Sequence, residues 1–414
     1  MTAPEQWAFR ALDAGRVFTP NTPIDEKSVF SGRKAQIRRV IDVVNQKGQH
    51  AMIFGERGVG KTSLANVIGD FLGGMGGEIV APRVNCDGND TFASTWLKVF
   101  DQIELIRNRT PLGFGRAGQD TSTYGASALF GDAPPTPDSV RRVLTTMSEG
   151  ALPILIVDEF DRLKQEPRRA FADAIKNLSD HAVRATVVLV GVADSVDQLI
   201  EEHQSVARAL VQIQMPRMPA GEITTIVQTG LQRLEMTIAE DALRRIVLLA
   251  QGLPHYAHLI GLHASRVALD THSTDVTLAV VDQAITKAIE DAQQSIRNAY
   301  HSAIRSSRKH NLFGDVLLSC ALAKTDELGF FAAQDVRSPM RKITGKDYDI
   351  PTFAQHLNEF SDAKRGKILK KTGQTRRYRY RFSDPLMQPF VIMQGVVAHK
   401  IPAGFLQQGD DSAA

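Results

Sequence analysis

Ala51-Met52-Ile53-Phe54-Gly55-Glu56-Arg57-Gly58-Val59-Gly60-Lys61-Thr62 is the stretch that decides how this chain reads. Four apolar residues predict a short buried strand, and residues 55–62 match G-x-x-x-x-G-K-[ST] in full. Leu64, Val67, Ile68 and Phe71 then recur at the spacing of one helical face. The order of these parts has a chemical reason. Glycines let the backbone turn so that successive amides converge on phosphate oxygens, and the following helix adds its own unpaired N–H groups. Lys61 would reach the β- and γ-phosphates, and Thr62 would offer its hydroxyl to Mg²⁺. ATP and Mg²⁺ are thus the expected cofactors, held by Gly55, Glu56, Arg57, Gly58, Val59, Gly60, Lys61, Thr62 and Ser63.

The rest of the composition sets bounds. At 414 residues the chain has room for two or three domains, and an apolar fraction of 43% fills real cores. A formal charge of +3 says little unless the basic residues cluster. Cys86 and Cys320 have no CxxC or zinc spacing, which fits a reducing, cytoplasmic interior, and Cys86 reads as a small buried residue. No apolar run is long enough to span a bilayer, so no membrane partner is expected.

Outward from the loop, residues 1–28 read as an arm on the first domain, and residues 29–215 as an α/β core. Ile37, Val40, Ile41 and Val44 mark a helix entering the first strand, with Ser31-Gly32-Arg33 at its start. Ile79 to Val84 predicts a second strand that Pro82 interrupts. Residues 107–137, rich in glycine and closed by Pro134-Pro135-Thr136-Pro137, read as a long mobile surface loop. Ile154-Leu155-Ile156-Val157-Asp158-Glu159 is the second strong signal. A strand buried on both faces delivers two carboxylates to its carboxyl end, where open α/β sheets place ligands. Asp158 is suited to hold Mg²⁺, and Glu159 to orient the attacking water.

Residues 55–62, Asp158-Glu159 and the later strand ending at Gly191 resemble the AAA+ P-loop ATPases. The branch is that of origin-recognition and replication-initiator proteins and their relatives among bacterial transposition and STAND-type signalling ATPases. The resemblance implies a parallel sheet, a small helical lid over residues 216–295 and a winged-helix-like domain over 296–392, with a loose tail at 393–414. It implies that Arg33 approaches adenine, and that a polar sensor follows the strand ending at Gly191. Asp194 aligns with that sensor, with Ser195 as its neighbour; either would equally cap the next helix. Arg208 looks like an arginine finger, which would require a homo-oligomer or protein partner. Gly252-Leu253-Pro254 resembles the turn that, in signalling ATPases, packs its proline near adenine. His255 and His258 stand where many AAA+ lids carry an arginine.

In the last domain, Arg377-Tyr378-Arg379-Tyr380-Arg381-Phe382 alternates with period two, so the aromatics would face a core and the arginines solvent. Residues 361–383 carry nine basic residues against one acidic. Lys364, Arg365, Lys367, Lys370, Lys371, Arg376, Arg377, Arg379 and Arg381 would contact the phosphates of double-stranded DNA without base preference. Three functions follow. The first is an ATP-hydrolysing switch coupled to DNA, slow without a partner, with Lys61, Glu159, Asp194 and Arg208 in the catalytic roles. The second is a STAND-type regulatory ATPase whose C-terminal domain binds protein or packs autoinhibitorily. The third, an interaction protein that merely retains nucleotide, is disfavoured by Glu159.

Overall fold

The computed structural model describes residues 3–22, 32–72, 78–109, 120–192, 206–306, 311–326, 328–374 and 377–401. By contact the chain forms two units. One comprises Met1–Pro23, Glu56–Gly60 and Pro216–Ala414; the other comprises Ile24–Gly55 and Lys61–Met215.

A first helix, α1 (Ala3–Val17), belongs to the former, helical unit. The sheet unit runs through α2 (Lys34–Val44), β1 (His50–Gly55), α3 (Lys61–Leu72), β2 (Ile79–Val80), β3 (Arg83–Asn85), α4 (Phe92–Asp101), β4 (Glu104–Arg109) and β5 (Asp120–Gly125). It continues with α5 (Pro137–Met147), β6 (Leu152–Asp158), α6 (Gln165–Asp180), β7 (Thr186–Gly191) and β8 (Leu210–Met215). The main sheet has the order β2-β6-β7-β1-β8, with β3 also on β6, and every pairing is parallel. Its central strands are apolar along nearly their whole length because helices cover both faces. On one face Trp96 stacks on Phe171 among Phe92, Phe100 and Phe160. The strand expected over residues 79–84 is split at Ala81-Pro82, where the proline has no N–H to give the ladder.

Topology places the two motifs on one edge. β7 lies between β1 and β6, with Ile53 opposite Val190 and Val157 opposite Leu189. The ends of β1 and β6 therefore stand two strand spacings apart, roughly 10 Å.

Two expectations are corrected. Residues 107–137 are not a structureless loop: β4 and β5 pair antiparallel from Glu104↔Gly125 to Arg109↔Asp120, and a 3₁₀ turn at Ala126–Phe130 buries Ala126. Thr121, Thr123 and Tyr124 favour extended backbone despite the surrounding glycines; residues 110–119 lie outside the described set. Within the N-terminal arm, Ala3–Val17 is a helix that belongs to the helical unit rather than to the sheet unit. The arm's Phe18 ring sits where a Cβ on Gly230 or Gly261 would clash, at 2.4 and 2.7 Å.

The helical unit continues with α7 (Ala220–Arg233), β9 (Thr237–Ile238), α8 (Glu240–Ala250), α9 (Pro254–Asp270), β10 (Asp275–Val276), α10 (Leu278–Glu290) and α11 (Gln294–Ile304). The central α9 is apolar nearly all round and takes α1, α7, α8 and α10 against it. Then come α12 (Phe313–Ala321), β11 (Phe331–Ala332), α13 (Ala333–Thr344), α14 (Ile350–Phe360), β12 (Leu369–Thr372), β13 (Arg379–Phe382) and α15 (Met387–Val397). The three strands of this region pair antiparallel in the order β11-β13-β12. As the alternation predicts, Tyr380 and Phe382 are buried, and Arg379 is exposed. Among the described residues no helix is long and apolar enough to cross a membrane.

Candidate functional site

In the glycine loop Gly58 and Gly60 take φ of 85° and 93°, left-handed values that L side chains resist. Lys61 opens α3, and its Nζ donates to the Gly55 carbonyl at 3.0 Å. Thr62 and Ser63 follow in the first turn, which carries no acidic residue, so the helix's positive end keeps its affinity for an anion.

Asp158 closes β6 with its side chain 3% exposed. Its Oδ1 accepts the Glu159 N–H at 2.7 Å and its Oδ2 accepts Arg83 Nη2 at 3.1 Å. Glu159 holds a left-handed backbone (φ 54°), and its carboxylate, 41% exposed, pairs with Arg162 at 3.2 Å. A non-glycine residue in that region costs energy, and such strain clusters where side chains must be aimed. Asp161, which the sequence reading passed over, accepts the Val192 N–H at 3.2 Å and ties the turn after β6 to the end of β7. No motif announced it. Asp194 and Ser195 lie outside the described residues.

Arg208 precedes β8 and is exposed. Leu210 pairs with His50 and Met215 with Gly55, so Arg208 stands at the opposite edge of the sheet from Gly55. Six residues of strand, roughly 20 Å, exclude it from this chain's own phosphate loop. Arg33, expected near the base, is 1% exposed and left-handed at the start of α2. Cys86 is inert: burial, then the Asp90 carboxylate, pushes its thiol up to about 12.

Within the helical unit the loop residues meet partners that the sequence did not announce. Glu56 Oε2 accepts Arg217 Nε at 2.7 Å, and Arg217 Nη1 donates to Gln388 Oε1 at 2.6 Å. Arg57 pairs with Asp384 at 3.2 Å. A Cβ on Gly58 would lie 2.8 Å from Leu386 Cδ2, and the Leu386 carbonyl accepts the Tyr256 hydroxyl. Pro254 Cγ is 3.8 Å from where a Gly60 Cβ would stand. His258 Nδ1 accepts the Thr19 N–H at 3.2 Å, and His255 Nδ1 faces the Pro20 carbonyl at 2.7 Å. Burial, then His255, lowers His258 to about 4, so it is a neutral packing residue. Among the described residues no group of His, Cys, Asp and Glu is placed to hold a metal by itself.

The basic segment divides. Arg365 pairs with Glu359 at 3.0 Å, donates to the Ala303 and Arg305 carbonyls, and covers the Phe313 ring at 3.4 Å. Lys371 donates to Asn358 and lies over Tyr378. Arg379 pairs with Asp326, and Arg381 lies over Phe330. Lys364, Lys367, Lys370 and Arg377 are exposed; Arg376 lies outside the described residues.

The Walker-type ATPase PABY2304 of Pyrococcus abyssi superposes with a TM-score of 0.51 at 15% identity, covering 91% of this chain and 99% of its own. The Aeropyrum pernix ORC2 protein gives 0.48 at 15% identity over 92% and 98% of the two chains. The Aeropyrum pernix ORC1 protein, solved in complex with DNA, gives 0.47 at 14% identity over 92% and 97%. No curated protein matches. The first of these likenesses shows the fold alone, an α/β core with a parallel sheet. The model of the family described as Novel STAND NTPase 1 matches residues 22–306, more than half the chain. This chain, with a nucleotide loop ahead of a buried acidic strand end, belongs to the Novel STAND NTPase 1 family.

Proposed function

We propose that the chain is a Mg²⁺-dependent, ATP-hydrolysing regulatory switch whose nucleotide state is read by its C-terminal module. The observation that carries this reading is the seat of residues 384–386 on the phosphate loop. Arg57 pairs with Asp384, and Leu386 fills the space over Gly58. A loop packed this closely on one side cannot adjust around a triphosphate without moving the segment it touches. A switch needs contacts that differ between its two ligand states, and this segment is placed to supply them.

The residues present fit the cofactors. The N-terminus of α3 would hold phosphate, with Lys61 exchanging the Gly55 carbonyl for a phosphate oxygen. Thr62 and Asp158 supply the hard oxygen donors Mg²⁺ prefers. When bound, the ion would neutralise developing charge on the phosphates. Glu159 would leave Arg162 to orient water, the role of a general base in phosphoryl transfer. Asp194 or Ser195 would sense the phosphate, and Arg33 would approach the base. Arg208 would act only on a neighbouring subunit or partner, so turnover in isolation would be slow.

A second reading, association with double-stranded DNA, is favoured by exposed Lys364, Lys367 and Arg377. The internal ties of Arg365, Lys371, Arg379 and Arg381 count against all nine residues acting as one phosphate clamp. One set of measurements tests both. Glu159→Gln should keep ATP affinity and lower turnover about a hundredfold. ATP and ADP should give different hydrogen-exchange protection over residues 384–397; equal protection refutes the switch. Nucleotide-dependent duplex binding that falls with salt would select the DNA reading.

A further inference from the structure

We infer that Arg83 is a positioning residue that competes with the divalent cation for Asp158, so that loading the metal means moving a guanidinium from one oxygen to another. This deepens the nucleotide-and-magnesium reading above and rests on it.

The placement comes from strand register. Arg83 pairs with Ile156, Val84 with Val157 and Asn85 with Asp158. Val84 joins Leu155 and Val157 in the apolar core on one face of the sheet, so Arg83, Asn85 and Asp158 share the other. There Arg83 Nη2 donates to two acceptors, Asp158 Oδ2 at 3.1 Å and Asn85 Oδ1 at 2.8 Å. The backbone N–H of Arg83 is anchored on Gln102 Oε1 at 3.1 Å. Its Nε is buried without a hydrogen-bond partner, so this guanidinium is not held by a full set of acceptors.

Each Asp158 oxygen already faces one donor. Oδ1 takes the Glu159 N–H and Oδ2 takes Arg83. The pair is shielded, with side chains 26% and 3% exposed, so water weakens the repulsion between a second cation and the guanidinium less than at the surface. A divalent ion on Oδ2 would share that oxygen with a like charge and repel Arg83, and Asn85 is the acceptor that keeps it. Arg83 sets how tightly the metal binds without touching it.

The test reads metal affinity directly, by electron paramagnetic resonance of free Mn²⁺ titrated into the ADP-bound full chain. Arg83→Gln should tighten Mn²⁺ binding about tenfold, as expected for removing one shielded like charge. Arg83→Lys, which keeps the charge, should stay close to the wild type. Asn85→Ala, at an exposed position, should act in the opposite direction and weaken Mn²⁺ binding by a few fold, because Arg83 loses its alternative partner. Effects of opposite sign at two neighbouring residues separate this mechanism from general damage to the strand. Unchanged or weaker Mn²⁺ binding in folded Arg83→Gln overturns the inference while ADP still binds. Failure of the wild type to bind ADP overturns the nucleotide reading and this inference together.

Discussion

The sheet unit and the helical unit both use arginine–carboxylate pairs, but they use them differently. In the sheet unit Arg83 reaches Asp158 across one strand pairing, along a register fixed by backbone hydrogen bonds. In the helical unit Arg217 reaches Glu56, and Arg57 reaches Asp384, between residues 161 and 327 positions apart. The first pair is positioned by the fold's most regular part and is held at a fixed point. The others join distant segments, so they report whether those segments are together.

The largest effect should come from the best-shielded of the long-range pairs. Arg217 and Glu56 are 20% and 14% exposed, and Arg217 also satisfies Gln388. Arg217→Ala strands a half-buried carboxylate and an amide, and should cost about 2–3 kcal/mol. Chemical denaturation followed by a probe in the helical unit would measure it. A loss below about 0.5 kcal/mol would mean that water replaces the arginine, and the contrast between the two units would fail.

Legibility in the sequence follows the same divide. β1, β6 and β7 could be read because a strand covered on both faces must be apolar, and the turn at residues 55–62 because its glycines stand at fixed spacing. The hairpin β12–β13 was readable from alternation. Arg217 lies between Pro216 and Pro219 with no period around it, and nothing local says that it will meet residue 56 or 388. Arg83 was hidden differently: its strand was anticipated, but its cross-strand partner required the order β3-β6, which the sequence does not state. Among the nine basic residues, composition reported charge and could not report that Arg365 is spent on Glu359, two carbonyls and Phe313. The glycine-rich stretch before α5 misled because composition hid the strand-forming threonines of β5.

Acid offers a test that touches both units in turn. His50 in β1 accepts the Val187 N–H through Nδ1 at 3.0 Å, as His258 accepts the Thr19 N–H. Burial lowers both to about 4, against about 6.5 in the unfolded chain. Both are neutral in the folded protein, so their contribution is complete above pH 6.5. It declines as pH falls from 6.5 to 4, where only the unfolded state takes up protons. Each should contribute on the order of 2 kcal/mol to that decline. His258→Gln, whose amide oxygen can accept the same N–H at every pH, should flatten the pH dependence of unfolding in the helical unit. It should leave the share due to His50 intact; a single loss of pH dependence in both units would contradict their separate accounting.

The smallest effect on stability should come from the pair that matters most for the proposed switch. Arg57 is 60% exposed and Asp384 27%, so water and salt screen their attraction, and Arg57→Ala should change unfolding free energy by less than about 1 kcal/mol. A pair so weak can open without endangering the fold, which a nucleotide-dependent contact requires and the Arg217–Glu56 pair does not allow. Its loss should therefore appear in rates: Arg57→Ala and Asp384→Asn should each speed release of a fluorescent ADP a few fold. The double variant should add little, because either change alone breaks the same pair. Release rates that add independently, or that stay at the wild-type value while stability falls, would make Arg57–Asp384 a structural bond like its shielded neighbour and remove the distinction on which the switch depends.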